Sequence, residues 1–147
     1  MRRTSTHNLE EVAWKKWKRL VRGAVLSRVP LLWSVSQRRD RRIRFAGSWS
    51  VRLRPGGQHV NHVHPQGWIS SALYVSLPPR APGEAEDAGW LTLGKPHDKL
   101  QLDLPPFRKI EPRPAQLVLF PSWMWHGTVP FEQGERLTVA FDVRQPL

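Results

Sequence analysis

A mainly β domain of the antiparallel sandwich or barrel type, preceded by one N-terminal helix, is what the sequence predicts. Three observations predict it. After residue 45 short alternating segments follow one another with little helical periodicity, and prolines punctuate nearly every junction. Such segments number about eight, as a jelly roll requires. The 147 residues allow a single domain, and with 39% of them apolar and eight tryptophans an ordinary core is feasible.

The chain divides by charge. Residues 1–44 hold 13 Lys/Arg against 3 Asp/Glu, and residues 45–147 hold 10 against 9, so the net charge of +11 belongs almost wholly to the first segment. Within it, Leu9, Val12, Ala13, Trp17, Leu20, Val21, Ala24 and Val25 recur at three- and four-residue steps, which predicts a helix over 9–29. Asn8 is a suitable N-cap, Glu10 and Glu11 fall in the first turn, and Pro30 stops the pattern. Lys15, Lys18, Arg19 and Arg22 form the opposite face. Such a basic helix is able to meet nucleic acid or an anionic surface, but a solvated face on a helix packed against the domain is the simpler expectation. The run at 37–44, with five arginines around Asp40, contains no aromatic residue and reads as a solvated linker.

The body of the chain is expected at 45–147. Alternation predicts strands at 48–53, 68–77, 90–93, 99–104, 108–111, 116–120, 126–129 and 136–143, with a turn at Pro55-Gly56-Gly57 leading into an extended histidine segment. Residues 80–88, rich in Pro, Gly, Ala and acid, predict a mobile loop. No cysteine is present, which excludes disulfides, thiolate metal sites and a cysteine nucleophile. No apolar run approaches the ~20 residues that cross a bilayer, and residues 1–8 do not open a signal peptide, so a cytoplasmic protein is expected.

The chemistry gathers at three places. In His62-Val63-His64-Pro65 alternate residues of an extended chain share a face, so both imidazoles can address one point. His126, in the aromatic stretch Trp123-Met124-Trp125-His126-Gly127, is the candidate third ligand. Three nitrogens hold a non-haem metal and leave positions open. Ten residues on, Arg136 offers a planar fork of donors, and Thr138 adds a hydroxyl on the same face, an arm fit for the far end of a dicarboxylate. A surface ion pair of Arg136 with Glu132 or Glu135 is the plain alternative. Trp68, Trp123 and Trp125 are expected to pack.

Residues 48–57 (SWSVRLRPGG), 59–65 (HVNHVHP), 67–75 (GWISSALYV) and 119–127 (LFPSWMWHG), with Arg136, make this chain resemble the 2-oxoglutarate/Fe(II)-dependent oxygenases. The likeness is greatest to a bacterial His-x-His-Pro branch often fused behind tetratricopeptide repeats, and it spans roughly residues 45–144. The resemblance implies a double-stranded β-helix, a cupin-like jelly-roll variant. It implies Fe(II) held by His62 and His126, with His64 at the position where the wider superfamily carries Asp or Glu. It further implies 2-oxoglutarate as co-substrate with O2, its distal carboxylate clamped by Arg136 and Thr138, with the hydroxyl of Tyr74 nearby, and hydroxylation of a second substrate that the sequence does not identify. Asp98, Asp103 and Asp142 are the remaining candidates for a carboxylate ligand. Residues 1–44 match the family poorly, so they either replace an upstream domain or mark a shortened or mis-started member. Two rival readings stand beside the oxygenase: a cupin-type three-histidine metalloenzyme that does not use 2-oxoglutarate, and a non-catalytic jelly-roll module docking through its basic segment.

Overall fold

The computed structural model describes residues 43–145. The expected helix over 9–29 and most of the basic run at 37–44 lie outside them. Seven strands form: β1 (Phe45–Leu53), β2 (Ile69–Ser76), β3 (Leu91–Leu93), β4 (Arg108–Ile110), β5 (Leu117–Pro121), β6 (His126–Thr128) and β7 (Arg136–Val143). They build two antiparallel sheets, ordered β1-β7-β2-β5 and β4-β3-β6. The histidine segment completes the second sheet. His62 and His126 exchange backbone hydrogen bonds of 2.9 and 3.0 Å, and Thr128 N–H donates to the His59 carbonyl at 3.0 Å. Counted with it, each sheet has four members and the β-rich expectation holds as a jelly roll of the double-stranded β-helix kind.

The histidine segment is not the regular strand its pattern suggests. Only His62 makes a ladder bridge, because Pro65 has no N–H and His64 N–H turns to the Ser122 carbonyl at 2.8 Å. Its close approach to β6 requires Gly127: a Cβ there would collide with the Asn61 side chain and lie 2.8 Å from the His59 carbonyl.

Strand β7 inverts the usual alternation. Thr138 lies opposite Tyr74 and Val51, Arg136 opposite Leu53, and Asp142 opposite Ser70. Arg136, Thr138 and Ala140 line the inner cleft, so the intervening Leu137, Val139 and Phe141 fall on the other face. A polar row on the inside of a sheet costs burial free energy unless each group is paired. Apolar closure comes from beside the cleft, where Leu91 and Leu93 of β3 meet Phe120 of β5, with Ile110, Val118 and Met124 packed around them. Burying each such side chain stabilises by about 1.5–3 kcal/mol.

Two expectations are corrected. Residues 99–104 are not a strand: a 3-10 turn at Asp98–Leu100 is capped by the His97 side chain, Gln101 takes a left-handed φ of 52°, and Pro105-Pro106 offer no donors. Leu100, Leu102 and Leu104 are consequently exposed. The loop over 80–88 is not free but cross-linked. Glu84 accepts from Glu132 N–H at 2.6 Å and Ala81 N–H at 2.8 Å, and Asp87 pairs with Lys109 at 2.5 Å.

Candidate metal centre

Three imidazoles converge. The candidate ligand nitrogens of His62, His64 and His126 all lie within 4.8 Å of one another, and the Nε2 atoms of His62 and His64 are 3.0 Å apart. Each ring is held from behind through Nδ1. His62 Nδ1–H donates to the Val60 carbonyl at 2.7 Å, and His126 Nδ1–H donates to the Met124 carbonyl at 3.0 Å. A carbonyl only accepts, which fixes the proton on Nδ1 and leaves the Nε2 lone pair facing inward. His64 Nδ1 meets a carboxylate oxygen of Asp142 at 2.6 Å.

Two inward lone pairs at 3.0 Å repel unless a proton or a cation stands between them. Adjacent nitrogens about 2.1 Å from an octahedral ion are about 3 Å apart, so the spacing fits a first-row divalent metal with the other positions open. Burial lowers the pKa of His126 to about 4, against a weaker opposing effect of its Met124 hydrogen bond. It is therefore neutral at pH 7, the form in which imidazole binds metal. His59 is also lowered, first by burial and then by His62, Arg136 and His64.

The expected arm, Arg136 and Thr138, lines the same cleft as the triad. Arg136, 3% exposed, donates through Nη1 to the Thr128 hydroxyl at 2.9 Å and the Gly89 carbonyl at 3.1 Å. Thr128 is two residues along β6 from His126, which ties arm to centre. Both of its acceptors are neutral, and the surface ion pair is overturned: Glu135 pairs instead with exposed Arg52 at 2.7 Å. Its Nε has no hydrogen-bond partner, and neither has the hydroxyl of Tyr74, which is fully buried. The guanidinium carbon lies 5.0 Å from the centroid of the Tyr74 ring. Burial lowers the pKa of Arg136 and raises that of Tyr74, with each group partly opposing the shift of the other. Among the described residues no carboxylate pairs with this buried cation, and a group able to take an acid stands here: a guanidinium and a phenol hydroxyl side by side.

A cleft of about 520 Å³ holds the three histidines, His59, Arg136 and Thr138, closed by Val51, Leu53, Leu91 and Phe120. Residues 80–88 do not line it. Trp49, whose ring lies 5.3 Å from that of His64, does. Sequence reasoning passed over Trp49 because its alternation signals only a strand. It also expected Trp123 to pack, yet that side chain is 61% exposed. Asp142 is no candidate ligand in this geometry but the partner of one; Asp98 and Asp103 are exposed and away from the triad.

Fold and site together define a jelly roll whose three converging imidazoles are a candidate metal centre. The "Putative 2OG-Fe(II) oxygenase" family model matches residues 47–142, and the chain belongs to that family. A search of curated proteins returns no match. Among solved structures, the chain is similar to a prolyl-4-hydroxylase from Pseudomonas putida, with 22% identity, a TM-score of 0.49, and 67% of this chain and 51% of that one covered. A 2OG-Fe(II) oxygenase family oxidoreductase from Burkholderia pseudomallei gives 13% identity and a TM-score of 0.55, covering 88% and 55%. The viral collagen prolyl hydroxylase of Paramecium Bursaria Chlorella virus-1 gives 14% and 0.58, covering 96% and 74%. The last two support the fold. The chain spans about half the length of the first two structures. Among the described residues no helix is long and apolar enough to cross a membrane.

Proposed function

We propose that this chain is an Fe(II)- and 2-oxoglutarate-dependent oxygenase of the His-x-His-Pro type that hydroxylates a second substrate. His62, His64 and His126 are the metal ligands. Arg136 and Thr138, with Tyr74 beside them, receive the distal carboxylate of the co-substrate. One observation carries the reading: a buried arginine with no carboxylate of its own lines the same cleft as three inward-facing imidazole nitrogens. A three-histidine cupin centre that does not bind a dicarboxylate gives no reason to bury such a cation.

When bound, the iron supplies oxygen activation, with 2-oxoglutarate decarboxylated to succinate as one oxygen atom passes to the second substrate. The chain's own part is positioning. Neutral imidazoles present lone pairs without a prior deprotonation, the arginine fork sets the direction of the acid, and apolar Val51, Leu53, Leu91 and Phe120 limit water in the cleft.

Anaerobic titration of the protein with Fe(II) and then 2-oxoglutarate tests the proposal. A visible charge-transfer band should appear on adding the 2-oxo acid to the iron-loaded protein and on no other addition. Iron binding without that band would favour the cupin reading instead. Tyr74→Phe gives a finer check. Its hydroxyl makes no hydrogen bond of good geometry and interacts only with the neighbouring Arg136 guanidinium, so removing it should change the unfolding temperature little, while 2-oxoglutarate binds a few-fold more weakly. Unchanged co-substrate affinity would remove Tyr74 from the site.

A further inference from the structure

The three histidines are not equivalent. His62 and His126 hand their Nδ1 protons to neutral carbonyls, whereas His64 faces the Asp142 carboxylate at 2.6 Å. The other Asp142 oxygen accepts from Ser70 Oγ at 2.7 Å, and Ser70 Oγ, its proton thus used, accepts from the Ser122 hydroxyl at 2.9 Å. All three are buried, with exposures of 7%, 1% and 0%. Gly67 closes over them: a Cβ there would stand 2.9 Å from Ser122 Cβ and 3.2 Å from Asp142 Cβ. Among the described residues the sole ion-pair partner of Asp142 is His64; neither lysine nor arginine reaches it. The Ser70 hydroxyl on one side of this buried carboxylate is neutral, so compensating positive charge is to be sought on the other, where the His64 ring leads to the point at which the Nε2 atoms meet.

We infer that Asp142 is a positioning residue for the metal centre: through the Nδ1–H of His64 it fixes that ring and lends the three-imidazole site the negative charge that its direct ligands lack. The inference rests on the metal-centre reading proposed above. A carboxylate behind an imidazole raises the basicity of the opposite nitrogen and holds its tautomer. His64 thereby becomes the most strongly donating of the three ligands, and the carboxylate acts from the outer shell.

The test compares wild type, Asp142→Asn, Asp142→Ala and Ser70→Ala by metal affinity in competition with a chelator, by the absorption spectrum of the Co(II)-substituted protein, and by thermal unfolding of the metal-free protein. Asparagine keeps an acceptor for Nδ1–H and loses the charge. Asp142→Asn should bind Fe(II) and Co(II) about 10- to 100-fold more weakly, with a shifted Co(II) spectrum, while its metal-free unfolding temperature stays close to wild type. Asp142→Ala should lose more, and Ser70→Ala less. If Asp142→Asn binds metal as wild type does and changes only the unfolding temperature, the carboxylate is structural and the inference falls alone. If Asp142→Asn does not fold, Ser70→Ala decides: an unchanged affinity and Co(II) spectrum there overturn the inference. A wild-type protein that binds neither metal overturns the metal-centre reading, and this inference with it.

Discussion

His126→Ala is expected to weaken Fe(II) binding by more than about a hundredfold, since removing an outer-shell partner alone costs 10- to 100-fold and here a proposed ligand itself is removed. His126 is 6% exposed, its ring centroid lies 4.2 Å from that of His62, and its backbone is paired with His62 on both sides. The backbone pairing survives the substitution, so the loss belongs to the side chain. The cavity left behind should cost about 1–2 kcal/mol in the metal-free protein at neutral pH. Acid supplies an independent reading. Because burial lowers the folded-state pKa to about 4 from 6.5, the unfolded chain takes up this proton first. The contribution of His126 to stability is thus intact above pH 6.5, is lost as pH falls toward 4, and is constant below that. His126→Ala removes that part of the pH dependence. Unfolding of metal-free wild type and variant between pH 7 and pH 4 measures it, and parallel curves would show that His126 is not a buried neutral imidazole.

Much of this site is legible in the sequence because its geometry is local. The two-residue step from His62 to His64 places both rings on one side of any extended chain, and the step from Arg136 to Thr138 does the same on β7. His126 is legible only as the histidine of a short aromatic segment and through the family resemblance, since its pairing with His62 joins distant parts of the chain. What was not legible depends on register between distant strands. The His64–Asp142 contact joins residues 78 apart and exists because Ser70 of β2 pairs opposite Asp142 of β7. No spacing rule carries that information; Asp142 by itself is one aspartate among several. The misread segment at 99–104 fails for a related reason. Leu100, Leu102 and Leu104 alternate as in a half-buried strand, but a strand also needs a free neighbouring edge, and the left-handed Gln101 turns the chain away. Loop 80–88 has the composition of a mobile stretch, yet the carboxylate of Glu84 finds two backbone donors, one of them 48 residues away.

Arg136→Gln should raise the dissociation constant for 2-oxoglutarate about 10- to 150-fold, the equivalent of the ~1.5–3 kcal/mol of a charge-assisted hydrogen bond, while Fe(II) affinity stays unchanged. The separation is expected because the guanidinium touches the triad only through Thr128, and its present bonds are to neutral oxygens that glutamine can still reach in part. Arg136→Lys keeps the charge and loses the fork, so it should fall between the two. Pyruvate sharpens the test. It offers the same 2-oxo acid head to a metal but has no distal carboxylate for the arm to hold, so wild type and Arg136→Gln should bind it equally. A loss of 2-oxoglutarate affinity with pyruvate unaffected assigns the arm to the second carboxylate. Equal losses for both acids would mean that the variant has disturbed the cleft as a whole, and no loss for either would leave a buried cation on β7 without a ligand to explain it.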